Sequence, residues 1–120
     1  MDIYKIWENY LNTLKKYAVF SGRAGRAEYW WFFLVNLIVS VALSVFDSVI
    51  GVGLLNGLYS VAVFVPSLAV GVRRLHDVGK SGWFLLIALI PIVGWIILIV
   101  KLAKKGHHGE NKYGPVPAAI

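Results

Sequence analysis

Three long stretches of the chain contain no charged side chain, and they constrain its fold more than any other feature. They cover residues 29–46, 48–72 and 83–100. Even the 18 residues of the first stretch would span about 27 Å as a helix, close to the roughly 30 Å hydrocarbon core of a bilayer. Because 58% of the 120 residues are hydrophobic, more than in most soluble domains, we predict a single all-α integral membrane domain.

The charged residues divide this domain into segments. We predict an amphipathic N-terminal interfacial helix over 1–19, followed by transmembrane helices over 29–47, 54–72 and 83–102. A charged cytoplasmic loop over 73–82 separates the last two helices, and a polar tail covers 103–120. The first 28 residues mix charges with hydrophobic residues, so we expect the first span, and not a cleaved signal peptide, to direct insertion.

The N-terminal segment carries apolar residues at steps of three and four, which places them on one helical face. One interpretation is a helix that lies on the membrane surface. The alternative is a helix that packs on the protein's own cytoplasmic side, and the two are compatible. The face consists of Ile3, Trp7, Tyr10, Leu11, Leu14 and Tyr17.

Positive charges orient the chain, because Lys and Arg concentrate in cytoplasmic segments. The N-terminal segment has five of them, the connector 47–57 has none, and the loop 73–82 has three. We therefore predict a multi-pass protein of the bacterial inner membrane with a cytoplasmic N-terminus and a cytoplasmic loop 73–82.

The third apolar stretch is open to two interpretations, because Pro91 and Gly94 lie at its centre. A full, kinked span leaves four lysines outside, Lys101 at its end and Lys104, Lys105 and Lys112 in the tail, against the charge rule. A re-entrant hairpin at Pro91–Gly94 returns the tail to the cytoplasm, but such a segment must be shielded from lipid by protein. We favour the full span, since a chain of 120 residues offers little shielding.

Two groups of basic residues form the candidate site at the cytoplasmic face. Arginine forks suit phosphates and carboxylates, and Glu28 and Asp77 lie close enough in sequence to order them. We predict that the cluster binds anionic phospholipid headgroups or the acidic surface of a partner. The alternative is an internal salt-bridge network or an ordinary positively charged loop. The candidate residues are Arg23, Arg26, Arg73, Arg74, His76 and Lys80.

Several classes of site are not expected. The chain has no cysteine, which excludes disulfides and thiolate metal sites. Adjacent histidines rarely chelate one ion together, so His107 and His108 do not predict a metal site, and we expect no cofactor. Lys and Arg flank the apolar stretches instead of forming a soluble basic face, so we do not expect nucleic-acid binding.

Four short motifs resemble, in order, those of the bacterial inner-membrane family DUF805, a domain of unknown function. They begin at Phe20 (FxGRxxRxEYW), Arg73 (RRLHDxxxSGW), Pro91 (PxxG) and Gly109 (GxNxYGP). The resemblance covers residues 10–117 and implies a small multi-pass membrane protein, but it implies no activity. The motif in the tail suggests that Gly109–Pro115 docks on a membrane face, and docking at the arginines would require the re-entrant topology.

These features predict a non-enzymatic membrane module or accessory subunit. One alternative is a subunit of an oligomeric transporter or channel, because three helices of this size do not enclose a pore alone. Another is an enzyme that acts on a lipid headgroup, with His76 as base and Asp77 as its orienting partner. A homo-oligomer or a complex with another membrane protein is compatible with the first two.

Overall fold

The structure is a computed structural model that describes residues 2–51 and 53–117. Positions 1, 52 and 118–120, which include the ends of the predicted N-terminal segment and of the tail, lie outside the described residues. The described part is helical. Its elements are α1 (Ile3–Lys15), α2 (Arg26–Ile50), α3 (Leu55–Asp77), a 3₁₀ helix (Gly82–Leu89) and α4 (Val93–Ala103).

Helices α2 and α3 are the two candidate transmembrane helices within the described residues. They contain 25 and 23 residues, and at 1.5 Å per residue they reach about 37 and 34 Å. Most of their apolar surface is exposed, unlike that of a core helix in a soluble protein. They pack against each other. Helix α2 contains the whole predicted span 29–47, and α3 contains the predicted span 54–72 except for Leu54.

Asp47 closes the short connection between these two helices. Its carboxylate accepts hydrogen bonds from the backbone N–H groups of Leu55 at 3.1 Å and Asn56 at 3.0 Å, which caps the start of α3. Gly51 ends α2 with a left-handed φ of 73°, which glycine adopts without a steric penalty. Asp47 therefore acts as a boundary residue, as its position at the end of the first apolar stretch suggests.

Helix α3 continues through most of the segment predicted as a loop over 73–82. Arg73 to Asp77 form its last turn, so that prediction is wrong for these five residues. The helix ends in a Schellman motif, in which Lys80 N–H donates to the Leu75 carbonyl at 2.8 Å and Gly79 N–H to that of His76 at 3.0 Å. Gly79, with φ of 79°, is the sequence signal for this end.

The third apolar stretch is a hairpin and not the single helix predicted over 83–102. The 3₁₀ helix has 8 residues and α4 has 11, so each measures about 16 Å, half of a roughly 30 Å hydrocarbon core. The two helices pack on each other. Pro91 has no N–H to continue a helix, and Ile92 turns the chain with φ of 65°. Val93 N–H donates to the Pro91 carbonyl at 2.7 Å across this γ-turn.

The tip of the hairpin satisfies polar backbone groups internally. The N–H groups of Ile90 and Gly94 donate to the carbonyls of Ile87 and Ile90 at 3.0 and 3.1 Å. The indole of Trp95 donates to the Ala88 carbonyl at 2.8 Å. Unsatisfied backbone groups are costly in hydrocarbon, and these bonds reduce the number of such groups at the turn, although Leu89, Ile90 and Ile92 at the tip are 55–79% exposed.

Helix α1 packs on α2 and α3 through only part of its apolar face. Tyr10 is buried against Phe32, with ring centroids 5.2 Å apart, and the amide of Asn9 donates to the Glu28 carbonyl at 3.0 Å. The apolar residues Ile3 and Trp7 remain 78% and 52% exposed. Part of the apolar face thus packs on the protein, and the rest of it is exposed.

Gly94→Ala tests the hairpin. A Cβ at Gly94 would overlap the Ile87 carbonyl oxygen, so we expect the free energy of unfolding to fall by about 1–3 kcal/mol. Gly57→Ala is the matched control, because nothing lies within 4 Å of its Cβ position in α3, and alanine there should add about 0.5–1 kcal/mol. Unfolding of both variants in mild detergent measures the difference. Equal stability of the two would contradict the close approach at Gly94.

Candidate functional site

A buried carboxylate between two arginines lies at the charged ends of α2 and α3. Asp77 Oδ1 is 2.9 Å from the guanidinium of Arg23, and its Oδ2 is 2.6 Å from Nη1 of Arg74. The side chains of both arginines are 0% exposed, and that of Asp77 is 6% exposed. Each carboxylate oxygen therefore holds a different guanidinium, and this trio is called the ion core below.

Arg74 joins α3 to the end of the hairpin. Its Nε donates to the Leu102 carbonyl at 2.8 Å, and its Nη2 donates to the Lys104 carbonyl. The last carbonyls of a helix have no partner within it and carry partial negative charge, so a guanidinium is a suitable cap for α4. Trp30 adds a second donor to the Leu102 carbonyl at 3.2 Å.

Arg23 joins the same core to the tail. Its Nη1 donates to the carbonyls of Gly109 and Gly114 at 2.7 and 3.1 Å, and its Nη2 donates to that of His107 at 2.8 Å. Over its described residues after α4 the tail contains no helix or strand, as its glycines and prolines suggest, but it is not free. It folds back on the face where the arginines lie.

The motif Gly109–Pro115 forms the turn that presents these carbonyls. Asn111 and Gly114 exchange backbone hydrogen bonds at 3.1 and 3.0 Å, and the side-chain oxygen of Asn111 accepts from Tyr113 N–H at 2.9 Å. An asparagine bonded to the backbone two residues later is a typical turn former. Gly114 has φ of 128°, a conformation that favours glycine. The motif is explained by docking to Arg23.

His76 packs against the docked turn. Its ring stacks on that of Tyr113, with centroids 3.9 Å apart and planes 1° from parallel. Its backbone carbonyl accepts from the Asn111 amide at 3.0 Å, and its Nδ1 lies 2.8 Å from the Gly22 carbonyl oxygen. Since a carbonyl only accepts hydrogen bonds, Nδ1 is the donor.

Arg73 forms a separate ion pair with Glu28. The two side chains are joined at 2.6 Å between Nη1 and Oε2 and are 3% and 14% exposed. The Nε and Nη2 atoms of Arg73 are buried without a hydrogen-bond partner among the described residues. This pair connects the first turn of α2 to the last turn of α3.

The structure brings together Arg23, Arg74, Asp77 and His76, and it pairs Arg73 with Glu28. It does not bring Arg26 or Lys80 into these contacts. Arg26 is exposed, and the ammonium of Lys80 lies 6.0 Å from the ring centroid of Phe84. The acceptors that complete the core are tail carbonyls, which residue types do not reveal. The spacing of the tail motif is the signal that points to them.

A cleft of about 420 Å³ opens beside the ion core. The first turn of α2 forms one wall, beginning at Gly25, which caps α2 without a side-chain hydrogen bond. The tail forms the other wall. The basic and histidine side chains that line the cleft are Arg26, Lys105, His107 and His108. Two carboxylates also line it, Glu28 and Asp77, and both are already paired with arginines. Sequence reasoning did not identify Lys105 or the histidines as part of this surface.

Comparison with known proteins identifies the family of the chain. The profile of the family described as "Protein of unknown function (DUF805)" matches residues 17–115, which include all four motifs. The chain belongs to the DUF805 family. The inner membrane protein YhaH of Escherichia coli K12 is 46% identical over 114 residues, covering 90% of this chain and 94% of YhaH. The inner membrane protein YhaI of the same organism is 44% identical over 110 residues, covering 90% and 93%.

A more distant relative is the uncharacterized protein YiiR of Escherichia coli K12, which is 33% identical over 129 residues and covers 79% of this chain and 83% of YiiR. No solved structure matches the chain. The DUF805 chain described here, with its two candidate transmembrane helices, is a membrane protein of a family whose function is unknown.

The acid–base pair that an enzyme hypothesis requires is not formed in this DUF805 protein. The carboxylate of Asp77 holds Arg23 and Arg74, and the Nδ1 atom of His76 faces Gly22. Within residues 2–51 and 53–117, no three His, Asp or Glu side chains are grouped to hold a metal ion. The ring of His107 packs over Gly79, and its Nδ1 lies 3.2 Å from the Asn111 amide.

Arg23→Ala tests the role of the ion core in holding the tail. It removes the donor to three tail carbonyls and one of the two guanidinium groups that neutralise the Asp77 carboxylate. Loss of one partner of a buried ion pair costs about 3–5 kcal/mol of folding free energy. We expect trypsin to cleave the purified variant after Lys104 and Lys105 much faster than the wild type. Arg26→Ala, an exposed arginine, is the control and should leave the rate near that of the wild type. The same rate in Arg23→Ala would contradict the docked tail.

Proposed function

We propose that this protein is a non-enzymatic module of the bacterial inner membrane that binds the phosphate of anionic phospholipids at its cytoplasmic face. In this proposal α2 and α3 cross the bilayer, and the 3₁₀ helix and α4 form a re-entrant hairpin. The N-terminal segment, the end of α3 and the tail all lie on the cytoplasmic side. Location in the inner membrane is supported by the names of the relatives YhaH and YhaI.

The distribution of positive charge supports this topology. The connector between α2 and α3, residues 51–54, has no Lys or Arg. The other segments are rich in positive charge. They are the loop before α2 and its first residue (Arg23, Arg26), the end of α3 and the residues after it (Arg73, Arg74, Lys80), and the tail (Lys104, Lys105, Lys112). With a re-entrant hairpin these residues share one side, and the basic tail no longer conflicts with the positive-inside rule.

The cleft beside the ion core is the observation that carries the lipid proposal. The N–H groups in the first turn of a helix carry partial positive charge and bind phosphate, and the first turn of α2 forms one wall. Arg26 and Lys105 add two full charges, while Glu28 and Asp77 are paired with arginines and do not oppose an anion. A headgroup phosphate lies at the depth where α2 begins, at the edge of the apolar stretch.

The proposal assigns different roles to the basic residues than the sequence alone suggests. Arg23 and Arg74 hold the fold, since their side chains are fully buried and bonded to Asp77 and to carbonyls. Arg26 and Lys105 face the cleft and remain available to a ligand. Arg73 and His76 act through the parts they support, the start of α2 and the tail.

Removing the cleft charges tests the lipid proposal. We expect Arg26→Gln combined with Lys105→Gln to lower the retention of phosphatidylglycerol several-fold, measured by native mass spectrometry after release from nanodiscs of mixed phosphatidylglycerol and phosphatidylcholine. Lys15→Gln combined with Lys16→Gln removes two exposed charges outside the cleft and should have little effect. Equal retention by the two double variants, or no preference of the wild type for the anionic lipid, would overturn the proposal.

A further inference from the structure

Helix α1 has two apolar faces, and not the single face that its periodicity predicts. One face is buried against the protein and contains Tyr10 between the buried polar residues Asn9 and Thr13. Placed at about 100° per residue around the helix, the second face is centred roughly a third of a turn away. It is called the outer face below, and it includes Tyr4, which the predicted face does not contain. Its residues and their exposed fractions are Ile3 (78%), Tyr4 (78%), Trp7 (52%) and Leu11 (37%).

Three contacts of the buried face fix the rotation of α1 about its axis. The Asn9 amide donates to the Glu28 carbonyl at 3.0 Å, and the ring of Tyr10 stacks on that of Phe32 with centroids 5.2 Å apart. The hydroxyl of Tyr10 also lies 2.7 Å from that of Tyr59 in α3. The outer face cannot turn toward α2 or α3 without breaking these contacts, so it is directed away from the helix pair.

The same contacts place α1 at a defined depth in the proposed topology. Glu28 and Phe32 lie two and six residues after Arg26, where α2 begins, which is about 3 and 9 Å along the helix axis. Because α2 enters the bilayer at this end, α1 lies at the boundary between the headgroups and the acyl chains. Amphipathic helices that bind membranes lie at this boundary, with their apolar face buried by about 5–10 Å.

The third side of α1 is polar. Lys5, Glu8 and Asn12 are exposed, and at about 100° per residue their side is centred roughly a third of a turn from the outer face. Protein, apolar and polar sides therefore follow one another around the helix. A helix that lies beside α2 at the membrane surface meets three matching environments, which are protein, hydrocarbon and water.

The residue types of the outer face favour lipid as its partner. An exposed patch of neighbouring apolar residues marks an interaction surface. Two of the four residues are Tyr4 and Trp7, and these two side-chain types are enriched where membranes meet water. Trp7 also stacks on Tyr10 with centroids 5.6 Å apart, so the outer face adjoins the apolar contact that α1 makes with α2.

We propose that the outer face of α1 inserts into the cytoplasmic leaflet and contacts acyl chains. Its partner is thus the bilayer that surrounds α2 and α3, and not another protein. The inference rests on the proposed topology, because that topology puts the start of α2 at the membrane surface. It does not depend on the lipid cleft, since the outer face contacts acyl chains and the cleft binds phosphate.

Fluorescent labels on single cysteines test the insertion residue by residue, because the chain has no cysteine of its own. In nanodiscs of phosphatidylcholine with brominated acyl chains, bimane at Ile3→Cys or Leu11→Cys should be quenched several-fold more than bimane at Glu8→Cys or Asn12→Cys. Iodide in the aqueous phase should give the reverse order. Equal quenching at the four positions by each quencher would overturn the proposal.

A label in α2 separates failure of this inference from failure of the topology. Ile38 is 60% exposed and lies twelve residues after the start of α2, so brominated chains should quench bimane at Ile38→Cys strongly. Strong quenching at position 38 without quenching at positions 3 and 11 would overturn only the insertion of α1. Weak quenching at position 38 as well would overturn the topology, and the inference with it.

Photo-cross-linking in cells tests lipid against a protein partner. Benzoylphenylalanine in place of Tyr4 should yield a chain whose mass, measured after purification, is increased by that of one lipid. The same amino acid in place of Asn12, on the polar side, should yield several-fold less of this product. A discrete cross-linked protein at position 4, without a lipid adduct, would overturn the proposal and assign the outer face to a protein partner.

Discussion

One carboxylate, held between two buried guanidinium groups, joins four parts of the chain. Asp77 compensates the charges of Arg23 and Arg74, and the remaining donors of these arginines reach carbonyls at the end of α4 and in the tail. Buried charges are costly unless they are paired and hydrogen-bonded. The loop before α2, the last turn of α3, the hairpin and the tail therefore assemble together, because each supplies part of what the core requires.

The core explains why the third apolar stretch turns back. A tail bonded to Arg23 must lie beside the last turn of α3, so the segment between them has to leave that face and return to it. Two half-length helices of about 16 Å joined at Pro91 meet this requirement. The hydrogen bonds at the tip satisfy the exposed ends of these helices. In the proposed topology, two polar features are left on the surface of the protein. One is the basic cleft at the charged end, and the other is a polar groove between α2 and α3.

The sequence predicts much of this fold, because the bilayer sets simple rules. The charge-free stretches identify α2 and α3, and Asp47 marks the far boundary, whereas α1 ends at Lys15, four residues before the predicted end at residue 19. The third stretch is harder, since its length and composition fit a full span equally well. Tertiary contacts favour the hairpin over the full span. Gly94 has no side chain, which lets the Ile87 carbonyl approach closely, and the indole of Trp95 donates a hydrogen bond to the Ala88 carbonyl. For the site, residue types identify the arginines and their acidic partners. They do not show which arginines donate all their hydrogen bonds to Asp77 and to backbone carbonyls. These bonds hold Arg23 and Arg74 in the ion core, so that Arg26 and Lys105 are the basic residues that face the cleft.

The side of the membrane on which the tail lies decides whether the tail docks on the ion core. Reporters that are active on only one side can be fused to the tail and, separately, inserted into the connector 51–54 between α2 and α3. We expect a cytoplasmic reporter such as a fluorescent protein to be active on the tail and a reporter requiring the outer side to be active only in the connector. A tail reporter that is active only on the outer side would show that the third stretch crosses the bilayer, and it would contradict the docking of the tail on the ion core.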